Sequence, residues 1–197
     1  NVGNLRLGSG TDNAGSTRVE LRLSAGGANS VTATNISIGD ANPGGNTGVT
    51  SLLVLGGSSN DFNVDNFTIA GRKSNATVSI LAGGSFDLTG VAGGGTGTLD
   101  LRRRTTNTGT NTTGTLDLAN AASVAIDVDT IRMGTITTGS SGGDSRGVWN
   151  FSNMSNTVSA DTILMGDSPA AGNTDVTSTI LLGSGVNNVN VDTWTVG

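Results

Sequence analysis

A five-residue phrase ending in glycine recurs every 31 or 32 residues, and it constrains this chain more than any other feature. It reads Asn4-Leu5-Arg6-Leu7-Gly8, Asn35-Ile36-Ser37-Ile38-Gly39, Thr130-Ile131-Arg132-Met133-Gly134, Thr162-Ile163-Leu164-Met165-Gly166 and Thr193-Trp194-Thr195-Val196-Gly197. Two divergent copies, Asn66-Phe67-Thr68-Ile69-Ala70 and Thr98-Leu99-Asp100-Leu101-Arg102, complete the series. The final positions 8, 39, 70, 102, 134, 166 and 197 are separated by steps of 31, 31, 32, 32, 32 and 31. A spacing this even marks a repeat architecture in which each unit buries its apolar face only against its neighbours.

The second and fourth residues of every copy are apolar and the third varies freely, which is the period-2 alternation of a half-buried strand. We term it strand C. Strand A precedes it as Leu21-Arg22-Leu23, Leu53-Val54-Leu55, Leu116-Asp117-Leu118, Trp149-Asn150-Phe151 and Ile180-Leu181-Leu182. Strand B is Val31-Thr32-Ala33, Phe62-Asn63-Val64, Val124-Ala125-Ile126, Val158-Ser159-Ala160 and Val189-Asn190-Val191. Three short strands and a polar loop per period predict an all-β parallel β-solenoid (β-helix) of about six coils, one repeat domain spanning residues 1–197, with coils stacked about 4.8 Å apart. The parallel-crossover rule makes it right-handed. Composition agrees: 32 glycines with abundant Asn, Thr and Ser disfavour helix. The period from about Val78 to Gly114 departs from the others, with Ser85-Phe86-Asp87-Leu88 as its B strand and residues 89–97 (TGVAGGGTG) inserted before strand C, so this coil is expected to bulge.

The phrase in Asn156-Thr-Val-Ser-Ala-Asp-Thr-Ile-Leu-Met-Gly166 and Asn188-Val-Asn-Val-Asp-Thr-Trp-Thr-Val-Gly197 resembles the repeat arrays of large bacterial surface proteins similar to autotransporter passengers. The resemblance implies an exported, elongated surface or matrix protein and carries over no functional residue. The chain begins without Met or a signal peptide, so it is expected to be a processed or excised piece, such as a slice of a longer solenoid.

Cysteine and histidine are absent, which removes disulfides, thiolate or imidazole metal ligands and the commonest catalytic bases. A net charge of −5 gives no electrostatic reason to bind nucleic acid. No apolar run reaches the roughly 18 residues of a membrane-spanning helix. No cofactor is implied, and an enzyme is not expected; the carboxylates Asp87 and Asp100 beside Arg102 are the weak candidate pair for a pectin-lyase-like reading. Asp65, Asp129, Asp161 and Asp192 each lie five positions before the end of strand C. Turn chemistry is the expectation for this row, and a calcium ladder the alternative. Six N-x-S/T sequons, at Asn35, Asn66, Asn75, Asn111, Asn150 and Asn153, follow from composition. Outward TxT rows of an ice-binding kind do not recur from coil to coil.

Arg72, Lys73, Arg102, Arg103 and Arg104 are half of the ten basic residues and fall at equivalent corners of two successive coils. They are the candidate contact for an acidic polysaccharide or an acidic partner. Asn1-Val2 is in phase with Asn190-Val191, so end-to-end self-association is the expected partnership. The sequence therefore points to an extracellular structural rod or filament, with a surface adhesin, binding through the divergent coil near residues 72–104, as the alternative.

Overall fold

The computed structural model describes residues 2–8, 18–40, 49–105, 111–137, 143–167 and 175–197. They form fourteen β-strands and no helix: β1 (Val2–Leu7), β2 (Arg18–Arg22), β3 (Asn29–Ile38), β4 (Val49–Leu55), β5 (Ser59–Ile69), β6 (Ser74–Ile80), β7 (Ser85–Thr89), β8 (Thr98–Arg104), β9 (Thr112–Asp117), β10 (Ser123–Ile136), β11 (Ser145–Asn150), β12 (Ser155–Met165), β13 (Val176–Leu181) and β14 (Val186–Val196). Every strand pairing is parallel. One sheet of eight strands runs β1-β3-β5-β7-β10-β12-β14, with β8 beside β7's level, and a second of six runs β13-β11-β9-β6-β4-β2. The chain is a parallel β-solenoid.

Strand A forms the six-stranded sheet, while strands B and C run on as one long bent strand in most coils. The bend lies where the ladder skips one residue: in the β12–β14 pair, Ala160 faces Val191 and Thr162 faces Thr193, with Asp161 and Asp192 between. B and C separate fully in one coil, as β7 and β8.

Stacking puts like on like. Leu5, Ile36, Phe67, Leu99, Ile131, Ile163 and Trp194 form one inward column, register by register. Leu21, Leu53, Val78, Leu116, Trp149 and Ile180 form its counterpart on the second sheet. The middle members are fully buried in one continuous core. Phe62 reinforces it, stacked on Phe67 at 5.7 Å and tilted against Phe86 at 5.8 Å. Burial of this kind stabilises by about 2 kcal/mol for each large side chain.

Strand C ends where the backbone turns left-handed. Gly39, Gly134 and Gly166 have φ of 73°, 58° and 75°, and Ala70 and Arg102 hold the same conformation at 63° despite carrying a Cβ. The turn must also pass close to the second sheet: a Cβ on Gly134 would lie 2.7 Å from Ser178 Oγ and from the Thr177 carbonyl. The facing column is accordingly small: Ser51, Ala76, Gly114, Gly147 and Ser178.

The divergent coil keeps its period by compensation. From β4 to β6 the register advances only 25 residues, Val49 to Ser74, because residues 70–73 alone connect β5 to β6. Between β7 and β8, residues 90–97 then span the gap that Val64 and Asp65 span in β5, which restores the step from Phe67 to Leu99 to 32. The short connection also places β6 six residues ahead of the sequence period, so the recurrence of strand A does not point to it.

Candidate functional site

Two features distinguish this solenoid from a plain stack of coils: the arginine-rich corner and the inserted turn. The corner is built by the short connection 70–73. The β5–β8 ladder stops at Ile69–Leu101, while β8 runs on past the corner beside β10, with Arg103 facing Thr135 and Arg104 facing Ile136. The carbonyls of residues 70–72 therefore lack ladder partners, and Arg102 Nη1 donates to Ala70, Gly71 and Arg72 at 3.1, 3.2 and 2.6 Å.

The five basic residues do not form one exposed patch. Arg102 and Arg104 are both 0% exposed, and Arg104 Nη1 donates to the Gly143 carbonyl at 2.7 Å. Arg72 grips Asp40 through Nε at 2.8 Å and Nη2 at 3.1 Å. Arg103 sits 3.6 Å from Asp100, whose other oxygen accepts from Arg132 at 3.2 Å. Lys73 is half-buried. The surface left for a polyanion is thus Arg103 with parts of Arg72 and Lys73, and the two innermost guanidinium groups are corrected from surface contacts to interior ones.

Charge burial shows in the titration of these groups. Desolvation, joined by repulsion from Arg104, pulls the Arg102 guanidinium well below its ordinary value, down to about 9. Arg104 is lowered by burial. Burial raises the Asp100 carboxyl more than Arg132 and Arg103 lower it. In the suggested pair, the charged neighbour that raises exposed Asp87 further, after desolvation, is Asp61, in register beside it, and the charged neighbours of Asp100 are Arg132 and Arg103.

The inserted turn is ordered by the two carboxylates flanking it. Asp65, one level before, accepts from the Val91 N–H at 3.1 Å; Asp127, one level after, accepts from the Gly95 N–H at 2.9 Å. Within the turn Gly93 N–H donates to the Gly90 carbonyl at 3.0 Å, and Thr96 Oγ1 to the Gly93 carbonyl at 2.7 Å. Val91 is 47% exposed at its tip and lines a shallow cleft of about 240 Å³ with Val2, Thr32 and Thr34.

Of the aspartate row, Asp65 pins the insertion, Asp129 accepts from the Thr130 hydroxyl at 2.7 Å, and Asp161 and Asp192 are exposed. Among the described residues no three acidic groups are grouped to hold a metal ion.

Asparagine has a role that composition hid. Asn60 is buried, accepts from the Gly56 N–H at 2.8 Å and returns Nδ2 to the Gly56 carbonyl at 3.0 Å; Asn156 does the same with Ser152. Both closures cap the turn between strands A and B. The signal was their recurrence at the coil period, Asn29 before Asn60 and Asn187 after Asn156, joined by Nδ2–Oδ1 bonds of 3.0 and 2.9 Å. Every sequon asparagine also bridges levels: Asn66 donates to Asn35 and Asn35 to Asn4, Asn75 accepts from Thr113 and Asn111 from Asp144, Asn150 donates to Asp117 and Asn153 to Ala119.

Comparison with protein-family models, with curated proteins and with solved structures finds no match to this chain.

Proposed function

We propose that this chain is an extracellular structural repeat module that extends a rod on the cell surface or in the matrix by coil-on-coil stacking, its partner being another copy end to end. The observation that carries this reading is that like stacks on like in one register from coil to coil, so that the first described level has the same apolar alternation as the last. Val191, Trp194 and Val196 have the same spacing as Val2, Leu5 and Leu7, so β1 of a second copy fits over β14 as β14 fits over β12.

Charge favours head-to-tail order. Residues 1–22 carry Arg6, Arg18 and Arg22 against Asp12 and Glu20, while no basic residue follows Arg146 and Asp161, Asp167, Asp175 and Asp192 do. Parallel pairing at the junction would satisfy strand edges and cover the core together. Sedimentation velocity and electron microscopy of the purified chain test this. Filaments with an axial repeat of about 30 Å per chain are expected, and Val196→Asp should abolish them; monomers alone at high concentration overturn the reading.

The adhesin reading now rests on the inserted turn, an ordered projection with an exposed apolar tip, more than on the arginines. Binding to a glycan or surface partner that survives Arg103→Ala but is lost when residues 90–97 are replaced by Val-Asp would favour it.

A further inference from the structure

The arginine corner contains more buried donors than partners. Arg102 is completely enclosed, its Nη1 is engaged with three carbonyls, and its Nε and Nη2 have no hydrogen-bond partner. Three hydroxyls nearby in the fold are in the same position: Thr112 Oγ1, Thr135 Oγ1 and Ser145 Oγ are buried without a partner. These groups lie along the same side of the stack on successive levels. Thr112 faces inward two residues before Gly114, where a Cβ would stand 2.7 Å from the Arg102 backbone nitrogen. Ser145 is the register partner of Thr112, and Thr135 that of Arg103. Arg104 reaches the Gly143 carbonyl, two residues from Ser145, and adds a second positive charge.

Buried unpaired donors are rare, and an enclosed guanidinium without an opposite charge is among the costliest groups a fold can hold. No carboxylate among the described residues pairs with Arg102, and the one charged group that perturbs it is Arg104, which repels it. Water answers part of the need but leaves the charge uncompensated. We propose that this corner encloses a small inorganic anion of the halide class, held by Arg102 Nε and Nη2 with hydroxyls of Thr112 and Ser145. The ligand is small because Arg102 and Arg104 are fully enclosed, so it is trapped as the coils close. It neutralises the one place where the solenoid buries guanidinium charge, and it thereby ties the stability of the divergent coil to the surrounding salt.

Thermal unfolding of the full chain in sodium bromide and sodium chloride, against sodium gluconate at constant ionic strength, tests the proposal. A ligand bound only by the folded state raises Tm with the logarithm of its concentration. A rise of several degrees over a tenfold increase in bromide is expected, opposite to the general destabilisation by a weakly hydrated anion. Arg102→Met should lose that increment, and crystals grown in bromide should show an anomalous peak within hydrogen-bond distance of Arg102. Equal Tm in halide and gluconate, an unchanged halide response in Arg102→Met, or a bromide crystal without the peak overturns it. If Arg102→Met does not fold, the wild-type titration and the bromide peak still decide.

Discussion

The regular coil β11–β12 and the divergent coil β6–β8 solve the same geometric problem with different chemistry. In the regular coil a glycine, Gly166, makes the left-handed corner, and the B and C strands are continuous. In the divergent coil Arg102 makes that corner, the strands are split by residues 90–97, and the approach is shortened to residues 70–73. The core columns nevertheless pass through both without a break in register. What the solenoid conserves is therefore the inward column, and the corners are free to vary if their backbone groups find donors.

The largest expected effect breaks the column itself. Ile163 is buried between Ile131 and Trp194, and Leu99 holds the same place in the divergent coil. Ile163→Asp and Leu99→Asp should each cost about 4–5 kcal/mol by burying an unpaired charge, whereas Leu164→Asp, facing outward, should be mild. Urea denaturation checks this; a large loss in only one of the two coils would show that the column is not shared. The corners come next. Gly134→Ala adds a Cβ against Ser178 and Thr177 in a left-handed backbone and should cost about 2–3 kcal/mol. Ala70→Gly should be neutral or gain up to about 1 kcal/mol by relieving the same conformation. Thermal melts of the pair measure the strain that each corner carries.

Replacing residues 90–97 by Val-Asp should join β7 to β8 as Val64-Asp65 joins the halves of β5, at a cost under about 1 kcal/mol. Circular dichroism melts would show it, and unfolding of the variant would mean that the insertion is structural. The smallest effect concerns Asp100. Its folded carboxyl binds its proton more tightly than the unfolded value of 3.8, so the group adds stability as pH falls through its raised folded value toward 3.8 and loses that gain as pH rises. Asp100→Asn should lie within about 1 kcal/mol of wild type at neutral pH and lack that gain on acidification. A pH series of melting temperatures distinguishes the two.

The solenoid, its strand phase and its parallel stacking were legible because alternation and recurrence are local properties: Ile163 inward and Leu164 outward follow from position alone. Strand β6 was not legible, because a loop six residues short and an insertion that adds six residues cancel in the period of strand C and leave it apparently intact. The asparagine closures were visible only as a recurrence masked by an Asn-rich composition.

The sequence by itself determined the repeat and the members of the core columns outside β6, since each coil sees only its neighbours and like stacks on like. Tertiary structure decided the fate of the charges. Nothing in the run Arg102-Arg103-Arg104 marks the first and third as interior and the second as partly exposed. That outcome depends on β8 running past the corner while residues 70–73 turn away from it. Free carbonyls one level back then draw Arg102 inward, and a guanidinium once enclosed must be answered by whatever donors, acceptors and ions the neighbouring coils can bring to it.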